Sequence, residues 1–158
     1  MSEQQPQQPA FGIQKVYVKD ASLELPNAPG VFMESDNPQV EVQLENSAGR
    51  LNETIFEVVV MVTVTAKHAD KTSFLVEVSQ AGIFEIAGVP EQDLGPILGI
   101  ACPNILFPYA RETVADLIGR AGFPTLHLTP VNFEAIYLQR LQDEQAAQDG
   151  ESRIGVAN

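Results

Sequence analysis

The chain has 158 residues, and its nine basic and twenty-one acidic side chains give a net charge of −12 at pH 7. This length fits one domain with a large core, the single cysteine excludes an intrachain disulfide, and the negative charge argues against nucleic-acid binding, which needs Lys and Arg contacts to phosphates. Because the sequence has no apolar run long enough to span a membrane and no signal-peptide pattern at its start, it predicts a soluble, cytoplasmic protein.

The first strand is predicted after a Gln- and Pro-rich segment, residues 1–10, whose composition is typical of a disordered leader. From there hydrophobicity alternates, and the apolar side chains of one parity are Phe11, Ile13, Tyr17, Ala21, Leu23 and Leu25. Lys15 and Lys19 fall on this same parity, which predicts a β-bulge or an edge position. The opposite parity is expected to face solvent and carries Asp20, Ser22 and Glu24.

Three more strands follow a long irregular connection. Residues 26–38 contain three prolines and one glycine, so they are expected to cross between strands that need not be neighbours. The second strand, about 39–46, is predicted to turn inward Val40, Val42 and Leu44. The third strand, about 54–66, has the clearest alternation, and a turn at 67–72 leads to the fourth strand, which includes Phe74. Four alternating strands with short turns indicate an antiparallel sheet with one face in solvent.

Helical spacing of apolar residues begins after the fourth strand. A first helix is predicted over 91–102 and resumes over 109–119, and the prolines of the intervening CPNILFP are expected to kink or break it. A last helix, about 132–145, begins with Asn132 as its N-cap, and residues 146–158 are expected to form a flexible tail. The predicted fold is therefore α+β, with one domain over 11–145. It has a four-stranded antiparallel sheet and two main helices, the first one kinked, on one face.

Catalytic and metal-binding patterns are missing from the sequence. His68 and His127 are the only histidines, neither has a second ligand three or four residues away, and Cys102 has no cysteine partner. Cys102 precedes a proline in an apolar helix, so we expect a buried packing residue. The sequence also lacks a phosphate-binding loop, a nucleophile elbow and an HExxH motif. It therefore predicts a protein that is not an enzyme and that binds no metal and no cofactor.

Small residues recur on one face of the first helix. Gly95 and Gly99, followed by Cys102, have the spacing that lets two helices approach closely. The pattern is explained equally well by close packing within the chain and by a subunit interface.

Two further features allow a structural and a functional explanation each. Asp20, Glu24 and Glu77 surround Leu75 on outward strand positions, which is either an ordinary solvated face or a docking surface for a basic partner. Apolar residues in irregular segments either cap the core or line a groove. They are Phe32, Met33, Ile105, Leu106, Phe107, Tyr109, Phe123 and Phe133.

Several blocks of the sequence resemble the signature blocks of the SecB protein-export chaperone family. They are FGIQKVYVKDASLELPNAPGVF, AGIFEIAGV, CPNILFPYARE and GFPTLHLTPVNFEAIY, in this order over about residues 11–140. The resemblance implies an ATP-independent holdase of the bacterial cytoplasm that binds unfolded preproteins and delivers them to the SecA motor of the Sec translocon. It also implies a homotetramer, a dimer of dimers, that uses no cofactor.

The resemblance also implies roles for individual residues. A docking site for SecA is implied at Asp20, Glu24, Leu75 and Glu77. An apolar groove for clients is implied at Phe32, Leu98, Ile105, Tyr109, Phe133 and Tyr137. Subunit contacts are implied at Tyr17, Gly95, Gly99 and Cys102. The sequence departs from the family pattern by lacking a tryptophan in the crossover loop. Its tail, DGESRIGVAN, is also less acidic than the family tail, where a second SecA contact is expected.

Two other functions stay open at the level of the sequence. One is a specialised SecB-like chaperone that serves a toxin–antitoxin pair instead of general export. The other is an enzyme or a small-ligand-binding α+β protein that uses the groove between helices and sheet, although the sequence offers no nucleophile–base set for such a role.

Overall fold

The computed structural model describes residues 8–154, with side chains described as far as Glu151. Its sheet consists of β1 (Ala10–Glu24), β2 (Gln39–Arg50), β3 (Ile55–His68) and β4 (Lys71–Ala87). Neighbouring strands are antiparallel, and their order across the sheet is β1-β4-β3-β2. Helices cover one face of this sheet, here called the inner face, and the opposite face is called the outer face. The predicted α+β class with a four-stranded antiparallel sheet is confirmed, while residues 1–7 of the predicted leader lie outside the described residues.

The long connection from β1 to β2 joins the two opposite edges of the sheet. It includes a single 3-10 turn, Gly30–Met33. The side-chain nitrogen of Asn27 donates a hydrogen bond of 2.9 Å to the carbonyl of Thr72, which ties the connection to the start of β4. The prediction that residues 26–38 join strands that are not neighbours is confirmed.

Two bulges in β1 change which of its side chains face outward. The register with β4 shifts once directly after Ile13 and again directly after Val18, so the predicted bulging is confirmed. Each extra residue reverses the alternation that follows it. As a result Tyr17 pairs with Ala81 on the outer face. The prediction that Tyr17 shares a face with Phe11 is therefore wrong.

The core lies between the inner face and the helices. Fully buried valines of β3 and β4 form its sheet side, namely Val58, Val60, Val62, Val64, Val76 and Val78. Burying each of these side chains contributes roughly 1.5–3 kcal/mol. Val40 and Val42 of β2 lie on the same face but stay 44% and 46% exposed. Their predicted inward orientation is confirmed, whereas their burial in the core is not, because no helix covers this edge completely.

The first helical region consists of α1 (Glu91–Pro96), a π-helical turn (Ile97–Ala101) and α2 (Cys102–Arg120). The amide of Cys102 donates to the carbonyl of Ile97, five residues back. Pro103 has no amide to donate, and the wider turn lies directly before it. The helix then continues through Pro108. Of the predicted kink or break at CPNILFP, the break is wrong, because α2 runs through both prolines. The irregularity of this helix is the π-helical turn directly before the segment.

The last helix, α3 (Phe133–Ile154), begins after Asn132 as predicted. The side-chain oxygen of Asn132 accepts a hydrogen bond of 3.0 Å from the amide of Ala135, which makes Asn132 the N-cap. The helix continues beyond its predicted end, and its side chains are exposed from Leu138 to Glu151. The flexible tail over 146–158 stays a prediction, and residues 155–158 lie outside the described residues. Among the described helices, none is long and apolar enough to cross a membrane.

Candidate binding surfaces

The first candidate site lies on the outer face of β1 and β4 and is here called the anionic surface. It is formed by the residues implied for docking, Asp20, Glu24, Leu75 and Glu77. In the register of these strands Glu24 lies directly opposite Leu75, and Asp20 lies opposite Ser79. The three carboxylates are exposed, and Leu75 is half-buried beside them. The structure thus brings all four residues together on two neighbouring strands.

Two more carboxylates on the outer face extend this surface across the sheet. In β2, Glu41 lies opposite Thr65, which pairs with Leu75, and Glu45 lies opposite Met61. Glu41 and Glu45 alternate with the inward side chains of β2, and the strand order places them at the same end of the sheet as Leu75. Neighbouring charges of one sign create a potential that attracts a segment of the opposite sign.

Beside the anionic surface, Tyr17, Lys19 and Glu57 form a polar cluster on the outer face. The Tyr17 hydroxyl donates a hydrogen bond to one carboxylate oxygen of Glu57, and Lys19 Nζ lies 2.8 Å from the other. The hydrogen bonds from Lys19 and from Tyr17 lower the pKa of Glu57 because they favour its charged form. The bond to Glu57 raises the pKa of Tyr17 because it favours the protonated phenol.

We expect the Glu57→Gln variant to lose about 1 kcal/mol of unfolding free energy at neutral pH. The loss is small because Lys19 is half exposed and solvent screens its charge. The lowered pKa of Glu57 stabilises the fold at pH values above 4.5, the ordinary pKa of this carboxyl group. This contribution is lost as the pH falls through the pKa of Glu57 in the folded protein. The raised pKa of Tyr17 gives the opposite pH dependence. Its contribution to stability is present below pH 10.0 and is lost as the pH rises through the pKa of Tyr17 in the folded protein.

Urea unfolding at neutral and at acidic pH checks this expectation. The difference in unfolding free energy between Glu57→Gln and the native chain should shrink in acid. The control is Glu85→Gln, at an exposed glutamate of the outer face, which should show little difference at either pH. A difference of equal size at both pH values would contradict the assignment.

The second candidate site is a groove on the inner face at the β2 edge, here called the apolar groove. Its lining from the sheet consists of Val40, Val42 and Leu44, and its lining from α2 and the following loop includes Phe107, Leu126, Leu128 and Val131. The groove has a volume of about 230 Å³, and only His127 and Thr129 add polar side chains to it. The alternation along β2 predicts only that these valines face inward, so the groove could not be recognised from the sequence.

A second cavity lies under the crossover loop that joins β1 to β2. Phe32 of this loop is 47% exposed and packs against Phe123, with ring centroids 5.3 Å apart. A volume of about 190 Å³ opens between the loop and Phe123. Glu34 and Asp36 of the loop lie 3.9 Å and 3.6 Å from the two ring nitrogens of His68. The loop thus contacts Phe123 through an apolar side chain and His68, at the end of β3, through polar ones.

The residues implied for the client groove differ in their exposure. Phe32 and Tyr109 are about half exposed, and Leu98 and Ile105 are partly buried against the core. Phe133 is 1% exposed and packs edge-on against Phe107, with ring centroids 5.9 Å apart. It therefore offers a client no surface, and its contribution is to support a residue that does line the apolar groove.

The small residues of the first helical region pack against α3 of the same chain. A Cβ atom at Gly95 would lie 2.6 Å from the hydroxyl oxygen of Tyr137, and one at Gly99 would lie 2.6 Å from Tyr137 Cδ2. Of the two explanations left open by the sequence, close packing within the chain is therefore confirmed. Subunit contact at these glycines stays a prediction.

Cys102 belongs to the core. It has no exposed surface, and burial raises the pKa of its thiol to about 12. The expected packing role is confirmed, whereas an interface role would need a surface that this side chain does not offer. Among the described residues, no group of three His, Cys, Asp or Glu side chains could hold a metal ion.

The fold has a counterpart among solved structures. It is similar to a SecB-like chaperone from Mycobacterium tuberculosis, solved in complex with a peptide from the HigA1 antitoxin. The TM-score is 0.64 at 19% identity, and the match covers 77% of this chain and 90% of that one. This likeness shows that the chain has a SecB-like chaperone fold.

Sequence comparison identifies the family. The family model of the preprotein translocase subunit SecB matches residues 4–144. The chain is 61% identical over 143 residues to the protein-export protein SecB of Methylobacillus flagellatus, covering 90% of this chain and 91% of that protein. It is 58% identical over 147 residues to the protein-export protein SecB of Chromobacterium violaceum, covering 93% and 98%. The chain belongs to the SecB family, as the resemblance of its sequence blocks indicated.

Proposed function

We propose that this protein is a holdase chaperone of preprotein export, which binds unfolded preproteins in the cytoplasm and delivers them to SecA. Membership of the SecB family supports the chaperone role in export, and this family is not a class of enzymes. The observation that carries the proposal is the apolar groove, whose sheet wall includes Val40 and Val42 with nearly half of each side chain exposed. Exposed apolar surface of this kind marks a binding site.

The chemistry of the groove fits an unfolded chain better than a folded protein or a small molecule. Its lining offers many apolar contacts and few hydrogen-bonding groups, so it selects for exposed apolar side chains without fixing their order. Folded proteins bury such side chains, whereas unfolded preproteins expose them. Binding of this kind needs no cofactor and no nucleotide.

We expect the Val42→Ser variant to bind an apolar peptide of about fifteen residues about fivefold more weakly than the native chain. The loss corresponds to about 1 kcal/mol of apolar contact. Because Val42 is 46% exposed, the substitution should leave the fold intact. Leu51→Ser is the control, since Leu51 is 58% exposed but does not line the groove. Equal affinity of the native and Val42→Ser proteins, measured by calorimetric titration, would contradict the proposal.

The anionic surface is proposed as the docking site for a basic segment of SecA. Asp20, Glu24 and Glu77 supply charge, and Leu75 supplies an apolar contact among them. Complementary charge of this kind mainly raises the association rate and is screened by salt. Because this surface lies on the outer face and the apolar groove on the inner face, one protein could hold a client and SecA at the same time.

Reversing one charge of this surface should separate the two functions. We expect Glu77→Lys to weaken SecA binding about tenfold at low ionic strength while leaving peptide binding in the groove unchanged. Glu53→Lys is the matched control, because it makes the same change in net charge in the β2–β3 turn, at the other end of the sheet. If both variants bind SecA equally well in surface-plasmon measurements, docking does not occur at this surface.

The homotetramer is likewise a proposal. β1 is an edge strand of 15 residues, and within residues 8–154 no other strand pairs with its outer edge. Three apolar side chains of β1 are about half exposed, namely Phe11, Ile13 and Val18. Free edges and apolar side chains of this kind are normally covered. Pairing of β1, which contains Tyr17, with β1 of a second copy would cover both.

A specialised role in a toxin–antitoxin pair is not favoured. The solved chaperone with an antitoxin peptide is only 19% identical to this chain, so it supports the fold alone. The relatives at 61% and 58% identity are protein-export proteins.

A further inference from the structure

We propose that Gln80 is a positioning residue for the anionic surface. Its buried amide holds the second bulge of β1, and this bulge decides on which face of the sheet Asp20 and Glu24 lie. The consequence for partner docking rests on the function proposed above, whereas the effect on β1 can be measured without any partner.

Gln80 is a polar residue in an apolar place. It lies on the inner face of β4 beside Val78 and Val60, which are fully buried, and is itself 2% exposed. Its side-chain nitrogen donates a hydrogen bond of 3.0 Å to the backbone carbonyl of Tyr17. Its side-chain oxygen is the one buried side-chain polar atom without a partner in the part of the chain that the structure describes. An unpaired buried oxygen is unfavourable, so an apolar side chain would suit this place better if packing were its only role. The hydrogen bond that the side-chain nitrogen donates to Tyr17 therefore explains why a glutamine is present.

This hydrogen bond is made next to the bulge. Val18 pairs with Gln80 and Asp20 pairs with Ser79, so Lys19 is the extra residue of β1. The carbonyl that Gln80 binds belongs to Tyr17, directly before this bulged pair. The amide therefore ties β1 to β4 at the position where the regular pairing is interrupted.

The bulge reverses the alternation of every β1 residue that follows it. With the bulge, Asp20 and Glu24 share the outer face with Leu75 and Glu77. If the first bulge stayed and only this second one were absent, Ala21 and Leu23 would take their places on the outer face, and the carboxylates would turn to the inner face. Leu23 lies on the inner face and packs against the core. Without this bulge Leu23 would turn outward and lose that apolar contact, so this end of β1 would loosen from β4.

The outer face holds the same bulge from the other side. Tyr17 and Lys19 both reach Glu57 on β3 across the intervening strand β4. The bulge is thus fixed by Gln80 on the inner face and by this polar cluster on the outer face. Its two supports use different atoms and can be removed separately.

The Gln80→Met variant tests the proposal because methionine has a similar length and no donor. We expect the backbone amides of residues 20–24 to exchange with deuterium about tenfold faster, while those of the β2–β3 ladder are unchanged. Gln14→Met is the matched control, since Gln14 is the extra residue of the other bulge and is exposed. Unchanged exchange at 20–24 in Gln80→Met would overturn the proposal. If this variant does not fold, Gln80→Asn shortens the side chain while keeping the amide, and the same increase is expected.

The consequence for docking is measured with a polylysine peptide of about ten residues at low ionic strength. We expect Gln80→Met to bind this peptide about tenfold more weakly, like Glu77→Lys. Faster exchange at 20–24 with unchanged peptide binding in Gln80→Met overturns the link between the bulge and the anionic surface. If Glu77→Lys also binds the peptide normally, the docking function fails, and faster exchange then still supports the role of Gln80 in the bulge.

Discussion

Binding of a long unfolded preprotein should weaken about a hundredfold in the Val42→Ser variant, although a short apolar peptide loses only about fivefold. A shallow apolar groove is expected to bind one short segment with a Kd of only about 10⁻⁴ M. In a tetramer a long client can occupy several grooves, and at an effective concentration on the order of 10⁻³ M each added groove improves the affinity roughly tenfold. The substitution is present in every copy of the chain. The affinity of a client that occupies three grooves is therefore lowered about fivefold at each of them, which gives about a hundredfold in total.

Paired titrations separate this explanation from a single strong site. One long preprotein and one peptide of about fifteen residues cut from it are titrated against the native, Val42→Ser and Leu51→Ser proteins. Loss by the same factor for peptide and preprotein would show that occupation of several grooves is not the source of affinity. Leu51→Ser should match the native protein for both ligands, because Leu51 does not line the groove.

The Gly99→Ala variant should be destabilised by about 1–3 kcal/mol, because the new methyl group would overlap the ring of Tyr137. In a Tyr137→Ala background the same substitution should become neutral or stabilising, since alanine favours a helix over glycine by up to about 1 kcal/mol. Gly150→Ala is the control, because a Cβ at this position of α3 would meet no other atom within 4 Å.

Urea unfolding of the four proteins in this double-mutant cycle gives the coupling between the two residues. Native mass spectrometry of the same samples gives the oligomeric state. A Gly99→Ala protein with unchanged unfolding and a lower mass would show that this glycine serves a subunit interface instead of packing against α3.

Local sequence patterns were sufficient for most of the fold. Alternation in β3 and β4 identified strands whose inner valines are fully buried, and Asn132 marked the start of α3. These features depend on neighbours along the chain, so the sequence contains the information that decides them. The prolines were a weaker guide, because Pro103 and Pro108 stay within α2 and the irregular turn precedes them.

The candidate sites were predictable only in part. The carboxylates Asp20, Glu24 and Glu77 could be placed outward with Leu75 among them from the strand pattern, and the resemblance to the SecB family implied their docking role. Exposure along β2 was misjudged, because the alternation of Val40 and Val42 is the same whether a helix covers them or leaves them open as a groove wall. Burial depends on which other segments pack over a residue. Phe133 shows the reverse case, because it was implied for the exposed client groove and is buried.

By itself, the sequence determined the α+β class, the antiparallel sheet and the membership of the SecB family, because periodicity and family blocks are properties of the chain order. Only the tertiary structure decided that Tyr17 faces outward, that Gly99 packs against Tyr137 and that the β2 edge is an open groove. Each of these depends on contacts between residues far apart in the chain. A single extra residue in a bulge reverses a face, and its position is set by partners such as Gln80 on another strand.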